Sequence, residues 1–475
     1  MRGGQVALSH GAVLHPKFTP LVALSAAGAC LLSSPVFAQD TLSPEEIAAL
    51  RAEIAGLKAQ VQRMESRLDA ASGIQRTAPA APVAIAAPAK PASAEITWKG
   101  SPVISASGGR SFKAKGRIQA DVGYVDAPKA LADRGLGYAA EMRRIRLGGE
   151  GGLGAGIGYK LELELSDNTV DLVDTFVTYK AGPWLLALGN QNQFQSLDEL
   201  TGDTSGSLME RAAFTDAFNF ERRLGLSAQY EKGPWLVQAG LFADDITALA
   251  NASDGPAGGD ENNSYGLDGR VVYAPKIGKT QWHFGGSAHQ RQLKRVGDTA
   301  TRYRQRPYVH TSNSRLIGTA ALPVRQETHY GLEAGFVRGR WHGAAETHWL
   351  DAQLKTGPDA RFFGGYAELG FFLTDDTRGY KSGIFERAKP KNPLGGGGLG
   401  TLQVNVRYDY LDLNDRSIVG GTQDAWLAAL IWQPVEFLRF NLNAGVLAYT
   451  DATPLPNGDR DYKARVAGAR MELDF

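Results

Sequence analysis

Across 475 residues, 51 Lys and Arg stand against 50 Asp and Glu, so the formal charge of +1 gives no argument for nucleic acid as a partner. Mean hydropathy is −0.24, and no apolar run reaches the ~18 residues of a membrane helix, which excludes a helical membrane protein. A transmembrane barrel is not excluded, because only every second residue of its strands meets lipid.

Arg2 and Lys17 precede the apolar run Leu21 to Leu32, and Val36-Phe37-Ala38 closes it before Gln39. This is the layout of a secretory signal peptide spanning residues 1–38. A lipoprotein at Cys30 fits less well, since Ala27 stands where a larger aliphatic residue is usual. Cys30 is the sole cysteine, so the mature chain is expected to carry neither a disulfide nor a thiolate metal site.

Ser43-Pro44-Glu45-Glu46 supplies an N-cap, a proline at the first helical position and a capping-box glutamate. Ile47, Leu50, Ile54, Leu57, Val61, Met64 and Leu68 then recur in steps of three and four, the a/d seam of a coiled coil. Residues 39–72 are therefore expected to form a periplasmic coiled-coil helix. Ile at a with Leu at d leans toward two strands in isolated peptides, three strands would follow from a trimeric barrel, and an amphipathic helix packed on its own domain is the further alternative. Residues 73–95, with prolines at 79, 82, 88 and 91, read as an extended Ala/Pro-rich linker.

From about Arg110 the hydrophobic period becomes two, as in Leu161-Glu162-Leu163-Glu164-Leu165 and Leu402-Gln403-Val404-Asn405-Val406-Arg407-Tyr408. Runs of this kind amount to about sixteen strands of roughly ten residues, the spanning length of a membrane strand. Short turns such as Lys232-Gly233-Pro234 exchange with long segments such as Gln191 to Glu221 and Gln292 to Glu327. Trp184, Trp235 and Trp341 each follow a short turn directly, as an interfacial aromatic belt requires. Residues 96–475 are thus expected to be all-β, a 16-stranded antiparallel transmembrane barrel preceded by the coiled-coil helix. A soluble β-sandwich shares the alternation but has no reason to repeat Trp at one end.

Several segments, in order, resemble the phosphate-selective porin O and P family. They are Trp98-Lys99-Gly100-Ser101-Pro102, Gly109-Arg110-Ser111-Phe112-Lys113, Glu141-Met142-Arg143-Arg144, Met209-Glu210-Arg211, Arg222-Arg223-Leu224-Gly225, Leu373-Thr374-Asp375-Asp376 and Arg407-Tyr408-Asp409-Tyr410. The resemblance implies a sixteen-stranded homotrimeric barrel of the bacterial outer membrane, with its third long loop folded into the lumen. Small anions, phosphate or polyphosphate foremost, would be the solutes, with outer-membrane lipid and lipopolysaccharide as surroundings.

Strand parity turns the balanced charge into a local field. Lys113, Lys115 and Arg117 share one face of the first strand, and Arg144 and Arg146 the same face of the second, making a basic lumenal wall that Arg223 and Arg270 join. By the same count Arg143 falls on the outer face and would snorkel to a rim. The most basic external stretch holds Arg302, Arg304 and Arg306 two apart, so an extended backbone presents three guanidinium forks on one side. Pairing of such arginines with neighbouring acids or lipopolysaccharide is the competing reading.

The presumed constriction loop, Gln191 to Glu221, carries Asp198, Glu199, Asp203, Glu210, Asp216 and Glu221 against Arg211 alone. Either these carboxylates pair with the basic wall, or the pore is a general porin of low selectivity. Asp375 to Leu399 is too long for a simple turn and can fold back toward the lumen with Lys381, Arg387, Lys389 and Lys391. Gly149-x-Gly151-x-x-Gly154 matches a dinucleotide fingerprint in letters but is followed by a strand pattern. His342 and His348 share inward parity without a third metal ligand, and no Gly-x-Ser-x-Gly elbow occurs. The expectation is a passive channel without cofactor, metal or catalysis. The alternatives kept open are an outer-membrane barrel hydrolase and a closed barrel serving as a surface anchor.

Overall fold

A computed structural model describes residues 44–71, 94–131, 133, 135–166, 169–243, 246, 264–293 and 301–475. It divides into two units, Met1–Ala87 and Pro88–Phe475. In the first, Pro44–Ala71 is one continuous α-helix, which falls inside the expected 39–72. The signal peptide and nearly all of the linker lie outside the described residues.

The second unit is a closed antiparallel barrel of sixteen strands. They are β1 (Arg110–Asp126), β2 (Gly137–Gly154), β3 (Ile157–Glu164), β4 (Asp171–Ala181), β5 (Trp184–Asn192), β6 (Arg222–Lys232), β7 (Trp235–Phe242) and β8 (Tyr265–Tyr273). Then follow β9 (Thr280–Gln292), β10 (Val324–Arg338), β11 (Trp341–Leu354), β12 (Ala360–Phe372), β13 (Thr401–Asp415), β14 (Ile418–Val435), β15 (Leu438–Thr450) and β16 (Tyr462–Asp474). Each pairs with its sequence neighbour, and β16 closes on β1 through Arg470↔Asp121 and its flanking register. Closure satisfies every strand edge internally, the condition for β-structure in lipid. A short hairpin, Glu95–Lys99 with Ser101–Ala106, precedes β1 and pairs with its start.

Alternation sorts the side chains as expected. In β13 Gln403, Asn405, Arg407 and Asp409 are buried inside, whereas Val404 and Val406 are exposed on the lipid-facing side. The tight connections lie at one end, where Gly182, Gly233 and Gly339 adopt the left-handed φ that side chains disfavour. Beside these turns Trp184, Trp235 and Trp341 pack at a tilt across strands on Tyr230, Tyr273 and Phe371, with ring centroids 4.9, 4.6 and 4.5 Å apart. Gly149 and Gly151 lie within β2, and Gly154 ends it at the turn into β3 rather than opening a helix.

One residue departs from simple parity. A β-bulge sets Gln119 opposite Arg144 but Ala120 opposite Met142, leaving Arg143 as the extra residue. The phase slips there, and the Arg143 guanidinium turns inward to 3.8 Å from Glu210. The outward placement expected for Arg143 is therefore corrected by the bulge.

Candidate functional site: the lumen and its inward loops

The segment between β5 and β6 enters the barrel, with Leu197, Ala212, Ala213 and Phe214 fully buried. Ser196 caps the short helix Leu197–Leu200 by accepting from the Glu199 N–H. The start of that helix is seated on a single wall carboxylate. Glu346 of β11 accepts from Ser196 Oγ (2.9 Å), Leu197 N (2.9 Å), Asp198 N (2.7 Å) and the Tyr366 hydroxyl (2.9 Å). Phe214 lies over Gly364 of β12, where an added Cβ would stand 2.6 Å from the Phe214 Cβ.

The loop carboxylates meet the basic wall. Asp203 pairs with Arg117 at 2.5 Å and Arg144 at 3.0 Å, and Glu210 with Arg470 at 2.6 Å. Asp198 pairs with Arg407 at 3.2 Å, while Arg211 pairs with Glu199 at 3.3 Å and donates to the Asp198, Glu199 and Thr201 carbonyls. Burial pushes Glu210 toward the neutral form, but the Arg470 and Arg143 charges outweigh it and hold the carboxyl down at about 2. Asp203 is held well below the usual range by Arg117 and Arg144 in spite of its burial.

The rest of the wall is paired too. Arg146 lies 3.0 Å from Glu162 and 2.7 Å from Glu164, Arg223 3.2 Å from Glu221, and Lys115 3.2 Å from Glu150. Arg270 is fully buried, 2.7 Å from Glu333, and donates to Gln238 and to the Gly383 carbonyl. Lys113 is half-buried beside Lys115 at the short-turn end. The structure thus brings Lys115, Arg117, Arg144, Arg146, Arg223 and Arg270 together with carboxylates as ion pairs rather than as a bare positive surface.

Two further segments enter the lumen. The stretch after β12 folds in from the short-turn end. Its Arg378 donates to Ser207 Oγ and Ser205 O, each at 2.8 Å, approaches Glu368 at 3.4 Å and lies over the Phe385 ring at 4.1 Å. Arg387 reaches Thr204 and Asp474, whereas Lys381, Lys389 and Lys391 remain exposed. The constriction loop is thereby clasped from the opposite end of the barrel. Arg378, Glu346, Glu368, Arg407 and Arg470 were not anticipated, although inward parity marks the last four.

From the long-loop end, Thr301–Leu322 folds back on itself, its two limbs paired at Arg304↔Gly318 and Thr301↔Leu322. Tyr303 and Gln305 are buried, Arg302 and Arg304 exposed and Arg306 half-buried, so the three arginines share one side as the two-residue spacing predicts. Arg302, Arg304, Arg306 and the nearby Arg315 form no ion pair among the described residues. Burial lowers Arg315 to about 10, with Arg306 and Arg304 repelling it further against the pull of Asp216. Arg306 also lines a cavity of about 490 Å³, together with Arg143, Arg144, Arg146, Asp203 and Glu210.

No group of three or more His, Cys, Asp or Glu suited to a metal occurs among the described residues. His342 and His348 are buried inside the barrel, the latter stacked on Phe214 at 4.5 Å.

A closed sixteen-stranded barrel with a polar, loop-constricted lumen and a lipid-facing apolar exterior defines an outer-membrane porin. The family model described as phosphate-selective porin O and P matches residues 112–475, and the chain belongs to that family. An uncharacterized protein of Caulobacter vibrioides is 72% identical over 479 residues, covering 97% of each chain. Similar solved structures include OmpT of Vibrio cholerae in its trimer form, 10% identical over 77% of this chain and 100% of that one, with a TM-score of 0.49. An anion-selective porin from Comamonas acidovorans is 14% identical over 77% and 100% of the two chains, with a TM-score of 0.48.

Proposed function

We propose that this porin is a passive, homotrimeric channel for small anions, phosphate or polyphosphate foremost, which gathers its solute on a basic external vestibule. The observation that carries the reading is the arginine group Arg302, Arg304, Arg306 and Arg315, whose guanidinium charges stand without ion-pair partners among the described residues. Guanidinium forks match phosphate oxygens bidentately, and a row of them passes an ion between adjacent sites. The deeper wall is neutralised by carboxylates, Arg117 and Arg144 holding Asp203 of the constriction loop and Arg146 pairing with Glu162 and Glu164 of the neighbouring strand. The export signal at residues 1–38, the linker at 73–95 and a periplasmic location for the helix belong to the same reading, as does the absence of catalysis.

Reversal potential across a planar bilayer in a salt gradient tests it. The full-length porin should prefer anions, and replacing Arg304, Arg306 and Arg315 together by Gln should move the permeability ratio toward unity. Chloride current should also fall on adding phosphate to the arginine-bearing channel but not to the triple variant. Cation preference in the unsubstituted channel refutes the reading. The paired wall favours a second reading, a general porin of low selectivity, for which the triple substitution leaves the ratio unchanged.

A further inference from the structure

We infer that Pro44–Ala71 is a self-association element, a parallel, in-register coiled coil formed with the same helix of other copies of this chain. Taken alone, the helix leaves Ile54, Leu57, Val61 and Met64, large apolar side chains among its described residues, between 49% and 63% exposed. They follow one another in steps of three, four and three, so they form a single stripe. Apolar surface of this kind marks a docking face, and an isolated helix gains little stability in water without one.

The flanking charges say what covers it. With Ile54 and Val61 at a and Leu57 and Met64 at d, Glu53 occupies g and Lys58 the following e, both exposed. In a parallel, in-register coil each g residue faces the next e residue of its neighbour, so Glu53 of one copy meets Lys58 of another. The preceding heptad repeats the pattern in sequence, with Glu46 at g and Arg51 at e. An antiparallel arrangement sets g against g and e against e, which places like charges together. A lipid surface is the poorer match. Interfacial helices carry a Lys/Arg-rich polar face with Trp or Phe opposite, whereas this helix has neither aromatic residue and mixes both signs of charge.

Disulfide trapping in the full-length porin, with Cys30→Ser as background, tests the inference. Leu57→Cys at d should give a covalent dimer on oxidation, read on a non-reducing gel, while Ala59→Cys at the outer f position should not. Adding Lys58→Glu to Leu57→Cys should abolish the dimer band, and adding Glu53→Lys as well should restore it. Equal trapping at both sites, or none at Leu57→Cys, overturns the inference. Loss without restoration by the double charge swap overturns the parallel register, since only mutual g-to-e pairing predicts rescue. Channel conductance provides the folding control, because every substitution lies outside the barrel.

Discussion

Glu346 gathers four donors on one carboxylate, three of them from the start of the constriction loop. In Glu346→Gln an amide N–H₂ replaces an oxygen that now accepts, so donor faces donor and at least one buried N–H loses its partner. The cost is about 1–3 kcal/mol. It should fall on the loop, appearing as faster proteolysis between residues 193 and 221 and a larger, noisier conductance, with the barrel's heat resistance kept. Inward orientation of this residue was legible from alternation, but its role was not. The loop partners of Glu346 lie about 150 residues away, and period-two patterning carries no information on which loop will descend onto which strand. Arg143 shows the opposite failure, in which a single bulge residue reverses a side chain that the pattern had placed outside.

For whole elements, strand number, connection lengths and the belt of tryptophans could be read from sequence because each depends on local spacing. The inward course of the β12–β13 segment could be suspected only from its length. What fixes that course is Arg378, which bridges Ser205, Ser207 and Glu368 and stacks on Phe385. Arg378→Met retains much of the stem but leaves Glu368 with Arg407 as its remaining cation. Removing one member of such a buried charge cluster costs on the order of 3 kcal/mol. Hydrogen exchange should accelerate in two segments at once, residues 203–208 and 376–388, since the clasp joins them. Acceleration in the second segment alone would show that the constriction loop is held by the wall without it.

For the molecule as a whole, the near-zero net charge acquires a meaning that composition did not convey. The lumen is a lattice of acid–base pairs, and within the constriction loop Asp203 and Glu210 are held ionised to low pH by their arginine partners, whereas burial pushes Glu199 up. Glu210, lowered to about 2, contributes stability that is complete above its unfolded value near ~4.3 and is lost as pH falls through the folded value. The constriction loop should therefore stay docked from neutral pH down to about 4 and loosen only as pH approaches 2, measured as protease sensitivity of residues 193–221 against pH. Release near pH 6 would show that groups other than Asp203 and Glu210 control docking, among them Glu199, which burial pushes up. The clasp also bears on how the barrel is made. Ser207 and Arg378 are 171 residues apart in sequence and approach from opposite ends of the cylinder. The two groups meet across β6 through β12, so the clasp is expected to close only once those strands have come together. Tightening of the constriction by this clasp is thus expected to come late in biogenesis, while the loop's contacts with Arg117 and Arg144 can form earlier.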